Sequence, residues 1–264
     1  MRGIVDVRVN RTVKMAGRLE NRKALVTGGS RGIGAAIAIA FASEGADVAF
    51  CHDDDAEGAA EVVSAIEGCG RNAMAIQCDV ADDADVQAFW AESARALGPI
   101  DILVNNAGIG AERSFDAIDL NEFDRMIAVN LRAVFHFAKL ASPGMQSMHW
   151  GRIINIASQL AYKGAPGLAH YCAAKAGVIG LTRALAVELA GSGILVNAIA
   201  PGMVETRLND GLTAEWKDRK LSELPIHRFG NPAEIAPTAV LLASSDGDFY
   251  VGQTLSPNGG DVFL

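Results

Sequence analysis

The 264-residue chain is poor in aromatic residues, with 3 Trp, 3 Tyr and 10 Phe. So few rings exclude an extended stacking platform for nucleic-acid bases. A basic surplus is also missing: 23 Lys and Arg stand against 31 Asp and Glu, a net charge of −8. A phosphate backbone calls for a dominant positive surface, so nucleic acid is not an expected partner. Cysteine is sparse. Cys51, Cys69, Cys78 and Cys172 form no C-x-x-C pair and join no Cys/His cluster of metal-ligand spacing, so no metal is expected. Four free thiols fit a reducing, cytoplasmic setting, and Cys172 is expected to pack beside Tyr171 rather than to react. No apolar run reaches the roughly 20 residues that a membrane-spanning helix needs, so no membrane is expected. The first fourteen residues carry Arg2, Arg8, Arg11 and Lys14 without the apolar stretch of a secretory signal. No Pro/Ser-rich linker, low-complexity tract or fixed-period repeat divides the chain.

Half of the residues are hydrophobic and a fifth charged, enough apolar material for a large core. Short apolar runs alternate with longer amphipathic segments. Strands are expected at 24–27, 47–51, 74–78, 102–104, 152–156, 195–199 and 254–256. Helices are expected at 31–43, where Ile33, Ile37 and Phe41 recur every four residues, and at 56–67, 82–97, 123–148 and 170–190. Asp82 is suited to cap the third helix, and Pro143 is expected to bend or interrupt the fourth. Alternating strands and helices imply a parallel sheet covered on both faces. The strands are continuously apolar, as burial on both sides requires. The expected fold is therefore α/β, a doubly wound parallel sheet of the Rossmann type in three layers. One domain spans 17–264, preceded by an extension, 1–16, that is an arm, an assembly contact or an upstream start. In such sheets ligands lie beyond the carboxyl ends of the strands.

After the first strand comes Thr27-Gly28-Gly29-Ser30-Arg31-Gly32-Ile33-Gly34. Glycines permit a tight turn and close backbone approach, and the helix amino end that follows offers free N–H groups to a pyrophosphate. The spacing is G-x-x-x-G-x-G rather than G-x-G-x-x-G, and a plain strand–helix turn explains such a loop equally well. Tyr171 and Lys175 are four apart on an expected helix and so share a face. A phenol has a pKa near 10, and a neighbouring ammonium stabilises its phenolate. That is a route to general acid–base chemistry, although the spacing alone also fits a surface pair. Ser158 follows a strand but lacks the G-x-S-x-G elbow of a hydrolase nucleophile.

With Asn105-Asn106-Ala107-Gly108, Asn130 and Pro201-Gly202 in this order, the set resembles the short-chain dehydrogenase/reductase family from about residue 17 to the end. The resemblance implies catalysis by Asn130, Ser158, Tyr171 and Lys175. Ser158 would orient the substrate oxygen, and Lys175 would also bond the nicotinamide ribose. Asn130 would hold a water linking Lys175 to solvent, satisfy backbone groups at a helix irregularity, or do both. The implied dinucleotide contacts are Gly28, Ser30, Arg31, Gly32, Ile33 and Gly34 in the loop, and Asp79 and Val80 beside the adenine. Asn106, Ala107 and Gly108 would line the adenosine side; Pro201, Gly202, Val204 and Thr206 would receive the nicotinamide. His52 stands where a carboxylate would hold the ribose 2′-hydroxyl of NAD. Arg31 matches the basic residue of NADP-using relatives and suits bidentate pairing with a 2′-phosphate. Asp53, Asp54 and Asp55 either oppose a phosphate or form a solvated helix start. NADP(H) is the expected cofactor, NAD(H) the alternative.

Candidate substrate contacts are Ser158, Gln159, Leu160, Met203 and His170, with no charged anchor among them. Segment 205–228, holding Leu208, Leu212, Trp216, Leu221 and Leu224, reads as a lid or as a fixed helical hairpin. The tail, Arg228-Phe229-Gly230-x-Pro232-x-Glu234-Ile235-Ala236, Gly252-Gln253-Thr254-Leu255 and Asn258-Gly259-Gly260, resembles 3-oxoacyl-[acyl-carrier-protein] reductases and related sugar or polyol dehydrogenases. What this implies is a small-molecule carbonyl or secondary-alcohol substrate, first a carrier-linked 3-oxoacyl thioester and alternatively a sugar or polyol. It also implies a homotetramer assembled through 123–148, 170–190 and the last strand. A non-catalytic dinucleotide-sensing protein is the alternative of another class.

Overall fold

Seven parallel strands form one sheet in the order β3-β2-β1-β4-β5-β6-β7 in the computed structural model, which describes residues 17–207 and 211–263. The strands are β1 (Lys23–Val26), β2 (Asp47–His52), β3 (Ala73–Gln77), β4 (Ile102–Asn105), β5 (Gly151–Ile156), β6 (Ile194–Ile199) and β7 (Thr254–Leu255). The order reverses between β1 and β4, and this switch point opens a crevice at the carboxyl ends. The expected extension at 1–16 lies outside the described residues.

Alternation along each strand sorts side chains between two cores. Ala24 and Val26 of β1 and Val104 of β4 meet α1 (Gly32–Ser43), α2 (Ala56–Gly68) and α9 (Pro232–Ala243), through Ile37, Phe41, Val62 and Val240. Leu25, Leu103 and Ile153 face the other way, onto α3 (Asp83–Leu97) and α5 (Ala133–Met148). Here Phe89 and Phe137 meet edge to face, their centroids 6.0 Å apart. Both faces are dry, which is why the strand sequences show no polar alternation.

Three expectations need correction. The helix expected at 123–148 is α4 (Leu120–Ile127), a π turn over Ala128–Arg132, then α5. Pro143 lies inside α5 and does not end it; the irregularity falls at Asn130 instead. Among the described residues of segment 205–228 one α-helix is present, α8 (Ala214–Glu223), and Leu208 lies outside the described residues. A short α6 (Leu160–Lys163) follows Ser158, just ahead of α7 (Ala169–Leu189). Finally, α9 has no counterpart in the expected elements, although its start is well signalled. Asn231 and Glu234 form a capping box with Pro232 in the first turn, the pattern that fixes a helix start.

Candidate active site

The glycine loop is built by steric exclusion. Gly28 and Gly32 have φ of +65° and +57°, where a Cβ is strained. Side-chain hydrogen bonds fasten this loop to the end of β4. Thr27 Oγ1 accepts from the backbone N–H groups of Asn106 and Ala107, both at 2.9 Å. Asn106 Nδ2 donates to the carbonyls of Thr27 and Gly28 at 3.0 and 2.9 Å. Gly34 plays a packing part rather than the expected contact part. It does not line the crevice, and a Cβ there would lie 2.1 Å from the Gly28 carbonyl.

The crevice is a cavity of about 730 Å³, within the usual range for small-molecule sites. Apart from Gly34, every expected cofactor and catalytic residue lines it, as do Gln159, Leu160 and Met203. His170 does not: it is 1% exposed and packs inside α7, because it faces away from Tyr171 on the helix surface.

Tyr171 and Lys175 rise from one face of α7, with Lys175 Nζ 5.8 Å from the Tyr171 ring centroid. Lys175 is buried and donates to the Ile156 carbonyl at 2.8 Å. Burial pulls its pKa down from 10.5 to about 8. Burial raises the Tyr171 phenol above its ordinary value, and the hydrogen bond with Ser158 partly opposes this. The neighbouring ammonium was expected to lower the phenol pKa; in this site desolvation is the first cause and its direction is upward. The Ser158 hydroxyl also accepts the Leu160 N–H at 3.1 Å, which aims it at the cavity from the end of β5.

Asn130 occupies the π turn. Its Nδ2 donates to the carbonyls of Met126 and Ile109, at 3.2 and 3.1 Å. It therefore satisfies backbone groups freed where the helical ladder shifts. Its Oδ1 is buried and has no hydrogen-bond partner among the described residues. A Cβ at Gly108 would lie 2.7 Å from that oxygen and 3.5 Å from Lys175 Nζ, so the two polar groups converge beside Gly108.

The structure also gathers residues that sequence reasoning missed. Asp261, near the end of the chain, accepts from Gln159 Nε2 at 2.5 Å, Lys163 Nζ at 2.8 Å and Lys220 Nζ at 2.7 Å. These residues line the cavity with Trp216, and so add charged groups to the uncharged candidates named from the sequence. No short-range motif signals the cluster, because its members lie as much as 102 positions apart. At the other end Arg207 joins Arg31 near Asp55.

A cradle of glycines, a helix amino end and a tyrosine–lysine pair on one crevice suit a dinucleotide and a carbonyl. Comparison with known proteins agrees. The family model for short chain dehydrogenases matches residues 22–217. The chain belongs to the short-chain dehydrogenase family. As a family member it is an NAD(P)-dependent oxidoreductase on a single Rossmann-like domain. It is 43% identical to the 3-oxoacyl-[acyl-carrier-protein] reductase FabG of Staphylococcus aureus (strain Mu50 / ATCC 700699) over 239 residues, 90% of this chain and 97% of that one. It is 40% identical to nodulation protein G of Azospirillum brasilense over 242 residues, 92% and 98% of the two chains. A solved short chain dehydrogenase from Burkholderia cenocepacia J2315, in complex with NADP, superposes with a TM-score of 0.85 at 40% identity, covering 92% of this dehydrogenase and 99% of that chain.

Proposed function

We propose that this dehydrogenase reduces the 3-oxo group of a carrier-linked acyl thioester with NADPH, and that residues 17–264 form its catalytic unit. The observation that carries the reading is the convergence of Ser158, Tyr171 and Lys175 on one wall of a cavity whose glycine-loop end bears Arg31. Likeness to the reductase of S. aureus and to an NADP-bound structure supports it. Gly28 and Gly32 would leave room for the pyrophosphate, with Thr206 packed against Gly32, and Asp79 and Val80 would hold the adenine. Bound NADPH supplies the hydride. Ser158 and Tyr171 hold the substrate carbonyl oxygen, and Tyr171 gives it a proton as negative charge develops there. Lys175 anchors the ribose and restores the phenol proton. Asn130 Oδ1 and Lys175 Nζ together hold the water that connects the lysine to solvent. In the alcohol-to-carbonyl direction the same atoms carry the proton back.

One observation favours a second substrate class. Asp261, Lys163 and Lys220 make part of the cavity wall strongly polar, which suits a sugar or polyol. NADPH and NADH oxidation against 3-oxoacyl thioesters, ketoses and small diketones separates the two. Turnover best with thioesters is the expected result; preference for ketoses selects the second reading, and no oxidation with any class revives a non-catalytic dinucleotide sensor. We further place the protein in the cytoplasm as a homotetramer. Among the described residues no helix is long and apolar enough to cross a membrane.

A further inference from the structure

We propose that Arg207 is a second guanidinium for the adenosine 2′-phosphate, and that Asp55 is the internal counter-ion setting how far a 2′-phosphate is preferred over a 2′-hydroxyl. This rests on the NADP(H) reading above. Two distant chain segments bring the arginines together. Arg31 ends the glycine loop just before α1. Arg207 follows Thr206, whose Cγ2 lies 3.2 Å from the place a Gly32 Cβ would take. That contact seats the 201–207 segment on the loop.

Arg31 Nη1 lies 3.6 Å from Asp55 Oδ2, and Arg207 Nη1 lies 3.7 Å from Asp55 Oδ1. These are ion-pair distances, too long for firm hydrogen bonds. The carboxylate is 11% exposed and its Oδ2 has no hydrogen-bond partner, whereas the guanidinium side chains are 50% and 67% exposed. Neither arginine is committed elsewhere among the described residues. All three side chains line the cavity with His52, and together they carry a formal charge of +1.

A phosphate monoester carries a charge of about −1.5 to −2 and three acceptor oxygens. Two planar forks, each offering parallel N–H groups, match it better than one. Asp55 acts in opposition. It competes for both guanidiniums and repels the phosphate, yet its Oδ2, which accepts no hydrogen bond among the described residues, is suited to accept one from a ribose 2′-hydroxyl. Asp53 and Asp54 are exposed and water screens them, so Asp55 is the member of the acidic triplet that sets the preference.

The test measures NADPH and NADH dissociation constants by calorimetry on the full chain and on R31A, R207A and D55N, with melting curves to check folding. R207A is expected to weaken NADPH about tenfold and NADH less than twofold, the loss typical of one charge-assisted contact. D55N is expected to tighten NADPH several-fold and to weaken NADH. Asp55 makes no side-chain capping bond to α2, so asparagine is tolerated there; if D55N does not fold, D55S serves in its place. An unchanged ratio of the NADPH to the NADH constant in R207A, with a raised ratio in R31A, overturns the second guanidinium alone. An unchanged ratio in both arginine variants overturns the NADP(H) reading on which it rests.

Discussion

Tyr171 and Lys175 differ in what their burial costs. The phenol is made harder to ionise by its surroundings, and Ser158 is the protein group that counters this. Tyr171→Phe is therefore expected to lower kcat by about 10²–10⁴-fold, the usual worth of a positioned acid. The NADPH dissociation constant should stay within twofold; steady-state kinetics and calorimetry check both. Lys175 is held with its pKa depressed from 10.5 to about 8. Its folded-state value lies below its unfolded value, so burying the ammonium destabilises the fold at and below pH 8. That penalty fades as pH rises towards 10.5, where the lysine is neutral in both states. Lys175→Met is expected to abolish turnover while stabilising the protein by about 1–3 kcal/mol at pH 7, after allowing for the lost bond to Ile156. Urea unfolding at pH 7 and pH 10 measures it, and the gain should be smaller at pH 10. That both residues share one face of a helix was legible from their spacing. Their electrostatics was not, because desolvation depends on what packs above α7.

At the scale of elements, the π turn and α8 show how local signals and long-range contacts divide the work. Asn130 was legible as a site residue and as the mark of an irregular helix. Pro143 was expected to bend or interrupt the helix; it does not end α5, and the irregular turn lies at Ala128–Arg132. Helix α8 is tied to the body by Lys220 on Asp261 and by the buried Leu224. Asp261 joins α8, α6 and Gln159 at once, a junction no periodicity announces. Asp261→Ala is expected to raise KM for the carbonyl substrate about tenfold, the worth of one charge-assisted bond, with kcat changed less. Initial-rate kinetics at saturating NADPH reads this split, and an unchanged KM removes Asp261 from the substrate end.

At the scale of the whole molecule, apolar side chains remain on the outer surface of the very elements expected to assemble. Phe135 of α5 is half exposed, Val187 of α7 is 86% exposed and Phe249, shortly before β7, is fully exposed. Exposed apolar side chains on these elements are compatible with the proposed tetramer. Light scattering at assay concentration is expected to give four times the 27.6 kDa chain mass; a monomer mass contradicts the proposed tetramer. Val187→Asp and Phe249→Asp together should shift the population towards smaller species without unfolding the monomer, because neither side chain belongs to the core.

Sequence by itself determined the parallel α/β fold, the glycine loop, and the ordered set of Asn130, Ser158, Tyr171 and Lys175. Each is written in short-range patterns: continuous apolar strands, a glycine spacing, two residues four apart on a helix. Only the tertiary structure decided that Gly34 packs rather than touches the crevice, that His170 turns inward, and that Arg207 and Asp261 reach the two ends of the cavity. Those outcomes depend on segments far apart in the chain meeting across the sheet, and spacing along a chain does not encode such meetings.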